Sequence, residues 1–320
     1  MGRMPPDHLT PDPARVADAI RAVLAGRDLA SAAATAGIEP ADLEDAACTY
    51  HAAGTAALHD SAASRWLGIR VRFPGDETSE QAMATVLGPR LDQLRTDGVI
   101  SCWWFLRKHP HWRIRLLHAD HHATASMLRE LTTAGLIAGW TPARYEAETA
   151  AFGGPAGMDI AHQLFCADSQ GVLAYARHET PPIGRRELSI MLIGAMTSAA
   201  RLDSFERGDV FDQIARLRPD PPASCADHMQ RLTAQVRTLL ASPGPALLAD
   251  SALAEITSRW HHAFDEAGRD FGAAADRQLL GRGTRAVLAH TVIFHWNRLG
   301  LPATTQGILA RAAATACLPG

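Results

Sequence analysis

The sequence predicts an α+β fold. A mixed or antiparallel sheet packs with helices, a largely helical C-terminal half follows it, and a small helical segment precedes it. Three observations carry this. The runs Trp66–Phe73 and His111–Leu117 alternate apolar residues with arginine at a period of two, the pattern of strands with one buried and one charged face. From Gly157 onward nearly every stretch has helical periodicity. The 320 residues are 47% hydrophobic, enough to bury a core over one large or two ordinary domains.

The totals exclude several classes. Net charge is −3 and the isoelectric point about 6.6, so nothing global favours nucleic acid or an acidic membrane surface. Lys108 is the only lysine, and the wealth of arginine warns against reading each one as a ligand. The five cysteines, Cys48, Cys102, Cys166, Cys225 and Cys317, are scattered and lack C-x-x-C spacing. They read as free thiols in a reducing cytoplasm, not as a disulfide framework or zinc site. No apolar signal segment opens the chain and no stretch is long enough to span a bilayer, so a soluble, cytoplasmic protein is expected.

Residues 1–12 are Pro-rich and read as loose. Helical patterns follow at Ala14–Leu24, Leu29–Ala36 and Pro40–Thr55, and residues 1–60 form the N-terminal helical segment. "AAATAGIEPADL" mimics a helix-turn-helix, but Asp42, Glu44 and Asp45 would repel DNA phosphates, so no direct DNA contact is expected. A second domain spans 64–320. Its strands Trp66–Phe73, Ile100–Lys108 and His111–Leu117 are followed by an extended Leu136–Glu148. The helices Ser79–Thr96, with Gly88-Pro89 kinking or splitting it, and Ala123–Ala134 complete a β-α-β-β-α-β order. Beyond Gly153-Gly154-Pro155, helices are predicted at Met158–Arg177, Arg186–Arg201, Val210–Leu217, Ala226–Leu240, Ala252–Gly268, Arg285–Leu299 and Thr304–Ala316. They break at Pro181-Pro182, Pro219–Pro222 and Pro243–Pro245.

Arg113 and Arg115 point the same way from one strand, and Arg107 is placed opposite them on the hairpin partner. Arginines converging on a sheet face make a site for a carboxylate or phosphate. The 153–155 turn is no phosphate loop, since it lacks G-x-G-x-x-G and a lysine. His162, Phe165, Cys166 and Ser169 share one helix face; a Cys/His nucleophile pair competes there with an inert core cysteine. Asp168-Ser169 reads as a buried hydrogen-bonding pair. His261-His262 with Asp265-Glu266 lacks H-E-x-x-H, and no metal is assigned. His295, Asn297 and Arg298 bring an imidazole and donors to a helix end before Gly300, either as a proton-moving site or as a capped, partly buried helix.

In this order, "WLGIRVRF", "WWFLRKHPHWRIRL", "YEAETAAFGGPAGMDIAHQLFCADSQGVL", "ELSIMLIGAMTSAARLDSFERGDVF" and "FHWNRLGL" resemble the thiopeptide-type bacteriocin biosynthesis domain. That domain is similar to the C-terminal elimination domain of lantibiotic dehydratases. The match covers about Trp66 to Ala316. The resemblance implies an α+β fold, no metal or organic cofactor, and maturation of ribosomally made peptides. One branch eliminates glutamate from glutamylated Ser or Thr to give dehydroalanine or dehydrobutyrine. Its partner chain is a glutamyl-tRNA-dependent dehydratase that adds the glutamate. Another branch joins two dehydroalanines in a formal [4+2] cycloaddition and expels the leader peptide.

Carried over residue by residue, Arg113 and Arg115 match an H-L-R-L-R strand that holds the leaving glutamate, and Arg107 matches the preceding F-I-R-Y run. Of Y-x-x-E-x-x-R-Y-G-G, Tyr145, Glu148, Gly153 and Gly154 fit; Ala151 stands at the arginine place and Phe152 at the tyrosine place. Of H-M-x-x-N-R, Asn297 and Arg298 fit; Ile293 stands at the histidine place and His295 is displaced by two residues, about 200° around a helix. The resulting expectation is a tailoring enzyme with His295, Arg113 and Arg115 as catalytic groups and Arg107, Tyr145, Glu148, Asn297 and Arg298 binding the substrate. His290 is the other histidine able to replace the missing one. Glutamate elimination is the first reading, pyridine-forming cycloaddition the second, and a non-catalytic scaffold for the leader peptide and a dehydratase the third. A precursor peptide with its leader is the expected partner, and a leader strand added to a sheet edge is one way to bind it.

Overall fold

The computed structural model describes residues 12–220, 226–241 and 254–317. The expected looseness of the N-terminus, Cys225 and the break at Pro243–Pro245 lie outside them. The chain divides into two compact units, Met1–Ser64 and Arg65–Gly320.

The first unit holds α1 (Pro13–Leu24), α2 (Leu29–Ala36) and α3 (Pro40–Ser64). The carboxylates of Asp12 and Asp28 accept from the Ala14 and Ser31 amides at the starts of α1 and α2, filling donors that a helix leaves unpaired. Gly37 ends α2 with φ 67°, a left-handed turn that glycine adopts without a Cβ penalty. Ala19, Ile20, Ala32, Ala33, Ile38 and Leu43 form its small core.

The second unit begins with β1 (Trp66–Arg72), then α4 (Ser79–Ala82), a π-helical turn over Met83–Leu87, and α5 (Gly88–Thr96). The predicted single helix is thus split. Pro89 cannot donate to the preceding turn, and the backbone widens just ahead of it. Next come β2 (Cys102–Lys108), β3 (His111–Leu117), α6 (His121–Thr133) and β4 (Gly139–Ala143). The strand order is β2-β3-β1-β4 with every neighbour antiparallel, the split β-α-β arrangement. The fourth strand is shorter than the predicted Leu136–Glu148. Gly139 opens it, Pro142 withholds a ladder donor, and residues 144–148 leave the sheet.

One sheet face carries Ile69, Val71, Trp103, Phe105, Ile114 and Leu116. They share a core with Met83, Leu87, Leu91, Met127 and Leu128 of the intervening helices. The β2 edge is closed by α7 (Pro155–Ala176), where the Phe105 amide donates to Ser169 Oγ at 3.1 Å. The helical half continues with α8 (Arg185–Ala199), α9 (Ser204–Arg216), α10 (Ala226–Ala241), α11 (Ala254–Asp276), α12 (Thr284–Arg298) and α13 (Ala303–Cys317). Asp203 and Glu206 form a reciprocal capping box on α9. No described helix is long and apolar enough to cross a membrane.

The two halves are tied by an ionic clasp. Glu80 accepts from Arg107 Nη2 at 2.5 Å and from Arg185 at 2.7 and 2.8 Å. Both arginines also cap the carboxyl end of α12, Arg107 on the Arg298 carbonyl at 2.8 Å and Arg185 on the Leu299 carbonyl at 3.1 Å. Cations there complement the helix dipole. Glu80→Gln leaves two half-buried guanidinium groups without a counter-charge. The expected loss in urea unfolding is about 2 kcal/mol; an unchanged midpoint would refute the clasp.

Candidate functional site

The register brings arginines together on the second sheet face. Gly68 lies opposite Arg115, which lies opposite Trp104; Arg70 lies opposite Arg113, which lies opposite Leu106. Arg115 is 7% exposed. One of its nitrogens donates to the Ile114 carbonyl at 3.0 Å, and its guanidinium sits 5.0 Å from the Tyr145 ring centre. Its Nε has no hydrogen-bond partner among the described residues, and neither has the indole nitrogen of Trp104. Unpaired buried donors are costly and rare. Burial, reinforced by Arg113 and Arg70 and opposed by Tyr145, pushes Arg115 down to about 10. Arg70 and Arg113 make no side-chain ion pair among the described residues. Gly68 gives Arg115 room: a Cβ there would lie 3.2 Å from its guanidinium and 2.3 Å from the Ala143 carbonyl oxygen.

Aromatic rings wall this place. Tyr145, in the segment after β4, packs its ring 6.0 Å from Trp66 and 5.6 Å from Trp104. Its hydroxyl is 2.7 Å from His162 Nε2, and the His162 ring lies 4.6 Å from Trp66. Burial pushes the Tyr145 hydroxyl well up, against the pull of Arg115, and pushes His162 down to about 4. His162 is therefore neutral in the fold at pH 5–6, where an unfolded histidine gains a proton. With more protons bound by the unfolded chain, stability rises with pH between about 4 and 6.5. The His162→Gln variant is expected to show a shallower rise between pH 5 and pH 6.5 in urea titrations; an identical slope would contradict the assignment.

Cys166 is buried, and its sulfur contacts Cys102 Sγ at 2.9 Å rather than His162. The expected Cys166–His162 pair does not form. Glu148 meets His290 at 3.0 Å, and that hydrogen bond lowers its carboxyl against burial. Phe152, at the place where the resemblance has tyrosine, is fully buried against Phe165, Phe294 and His290.

Four expectations need correction. Arg107 does not join Arg113 and Arg115: it pairs in register with Trp112, so it lies on the opposite face, stacked on that ring at 4.6 Å within the Glu80 clasp. His295 is 0% exposed, and both its ring nitrogens are taken, Nδ1 by Asp168 at 2.8 Å and Nε2 by Ser189 Oγ at 3.1 Å. An imidazole so enclosed meets no peptide. Arg298, also fully buried, donates through Nε to Asp168 at 2.6 Å and lies 4.2 Å over Phe165. Asn297 accepts from Gln306 at 3.0 Å at the α12–α13 corner, a structural contact.

Asp168, flagged only as a buried polar residue, is the hub: the Trp260 indole also donates to it at 2.8 Å. Burial raises its carboxyl, but His295 and Arg298 outweigh this and hold it below its usual range. Trp104 and Arg70 are site residues that the sequence does not mark, whereas His162, expected as a possible partner of Cys166, is found on Tyr145 instead. Gly68 had a signal, being a glycine inside a strand pattern.

Fold and site define an α+β domain with a cationic sheet face set against a helical half. The chain belongs to the lantibiotic biosynthesis dehydratase C-term family, whose model matches residues 66–317. It is a lantibiotic dehydratase C-terminal-like domain of ribosomal-peptide biosynthesis. Among solved structures it is similar to the tRNA-dependent lantibiotic dehydratase MibB from Microbispora sp. 107891, at 18% identity and TM-score 0.58 over 79% of this chain. The chain spans 28% of that protein's length. It is also similar to TsrL, at 17% identity and TM-score 0.55, covering 78% of this chain and 93% of TsrL. TbtD, a pyridine synthase from thiomuracin biosynthesis, aligns at 15% identity and TM-score 0.49, over 79% of this chain and 97% of TbtD. No curated protein matches the chain.

Proposed function

We propose that the domain acts in the cytoplasm on a precursor peptide glutamylated by a tRNA-dependent dehydratase partner, eliminating glutamate from Ser or Thr. A base removes the α-proton, the Cβ–O bond breaks, its electrons leave on the glutamate carboxylate, and a dehydroamino acid remains. Arg113 and Arg115 hold that carboxylate, stabilising charge as it develops. The supporting observation is the pair of unpartnered buried donors, Arg115 Nε and Trp104 Nε1, on facing strand positions. With His295 enclosed, the titratable groups near Arg115 are Tyr145 and His162, whose imidazole is neutral and hydrogen-bonded to the phenol at 2.7 Å; the neutral imidazole is the group there able to accept the α-proton.

The test is mass spectrometry of a glutamylated precursor peptide incubated with the purified chain. The expected result is loss of one glutamic acid per modified residue. The substitutions at Ala151 and Ile293 favour a second reading, [4+2] cyclisation of dehydroalanines. An untouched glutamylated peptide, together with release of a leader fragment from a dehydroalanine-containing one, would replace the first reading by the second.

A further inference from the structure

The arginine face has two halves. Around Trp66, Cys102 and Trp104 it is covered: Trp104 packs 5.0 Å from Phe165 of α7, and Cys102 touches Cys166 of the same helix. From Arg70 and Arg113 onward it is open. By strand alternation Arg72 follows Arg70 on this face, His111 follows Arg113, and Lys108 lies opposite His111. Arg70, Arg72 and Lys108 are exposed, Arg113 and His111 half-buried. None of the three arginines nor Lys108 makes a side-chain ion pair among the described residues. At the hairpin end, Asp76 lies 3.4 Å from His109 instead.

A chain of net charge −3 that concentrates unpaired cations on half a sheet face holds them against their mutual repulsion. We infer that this open half docks an acidic stretch of the peptide substrate, beside the residue being processed. The inference rests on the reading above that the substrate is a peptide. From Arg115 to His111 the strand advances four residues, about 13 Å. An extended peptide crosses that distance in about four residues, so its Asp or Glu residues fall roughly three to five positions from the reacting one. An acidic peptide fits better than RNA, because the indoles of this face, Trp66 and Trp104, are buried and offer bases no stacking platform.

The measurement is fluorescence anisotropy of the full chain with a fluorescein-labelled peptide holding four consecutive glutamates, and with its glutamine counterpart. The glutamate peptide is expected to bind at least about tenfold tighter, with affinity falling as salt rises. The Arg70→Gln/Arg72→Gln double variant, with an unchanged circular dichroism spectrum, is expected to lose that preference. Equal binding of the two peptides, or a double variant that keeps the preference, would overturn the inference. So would tighter binding of an RNA oligomer of equal charge. Binding needs no turnover, so a chain that binds the glutamate peptide but eliminates nothing defeats the functional reading and leaves the docking surface standing.

Discussion

Arg115→Gln is expected to lower kcat/KM for peptide processing by about 10²- to 10³-fold while leaving the melting temperature unchanged or higher. The two halves of this expectation come from one observation. Arg115 is 7% exposed and, among the described residues, carries a buried Nε without a partner and makes its one side-chain hydrogen bond to the neighbouring Ile114 carbonyl. A desolvated cation with so few partners costs the native state free energy. A neutral side chain of smaller volume removes that cost, so a structural role and a functional role predict opposite signs. A protein that melts lower after the substitution and processes peptide normally would sink the assignment. The electrostatics agree: Arg113 and Arg70 disfavour the charge on Arg115, and a bound carboxylate relieves all three.

Asp168→Ala has the opposite profile. This carboxylate accepts from His295, Arg298 and Trp260 in a region with no solvent exposure. Two further nitrogens of Arg298 already lack partners among the described residues. Removing Asp168 strands a guanidinium in the core, an expected loss of about 3–5 kcal/mol and a fall in melting temperature of about 10 °C. The double variant Asp168→Leu/Arg298→Met removes the stranded cation and is expected to recover part of the loss, the remainder being the His295 and Trp260 donors left without an acceptor. If the single variant melts like the wild type, the network is not what holds α7, α11 and α12 together.

Much of the fold was legible because the periods were clean. The β-α-β-β-α-β order and every helix of the second half follow from alternation and from Gly and Pro punctuation, with boundaries within a few residues except at the start of the third and the end of the fifth of those helices. Of the candidate site, the shared sheet face of Arg113 and Arg115 was legible, because alternation settles it. Arg107 was misplaced through parity. A two-residue turn at His109-Pro110 sets Lys108 against His111, so Arg107 falls opposite Trp112 and not opposite an arginine. His295 was misread for another reason. From Thr291 to Trp296 every residue of α12 is buried, so the helix has no polar stripe and its sequence gives no sense of direction. The Tyr145–His162 contact joins residues 17 apart, across a loop and a helix start; no local pattern encodes it.

The sheet edges bear on how a peptide is read. The β2 edge is closed by α7 through Ser169, and β4 has only five residues, one of them Pro142. Neither offers the long row of free backbone groups that strand addition needs. A peptide zipped to an edge is locked in one register and must be released before its next residue is treated. A peptide docked on the open arginine face through side-chain charge makes no backbone ladder, so under the docking inference the spacing from its acidic stretch to the reacting residue, and not a strand register, sets which position is treated.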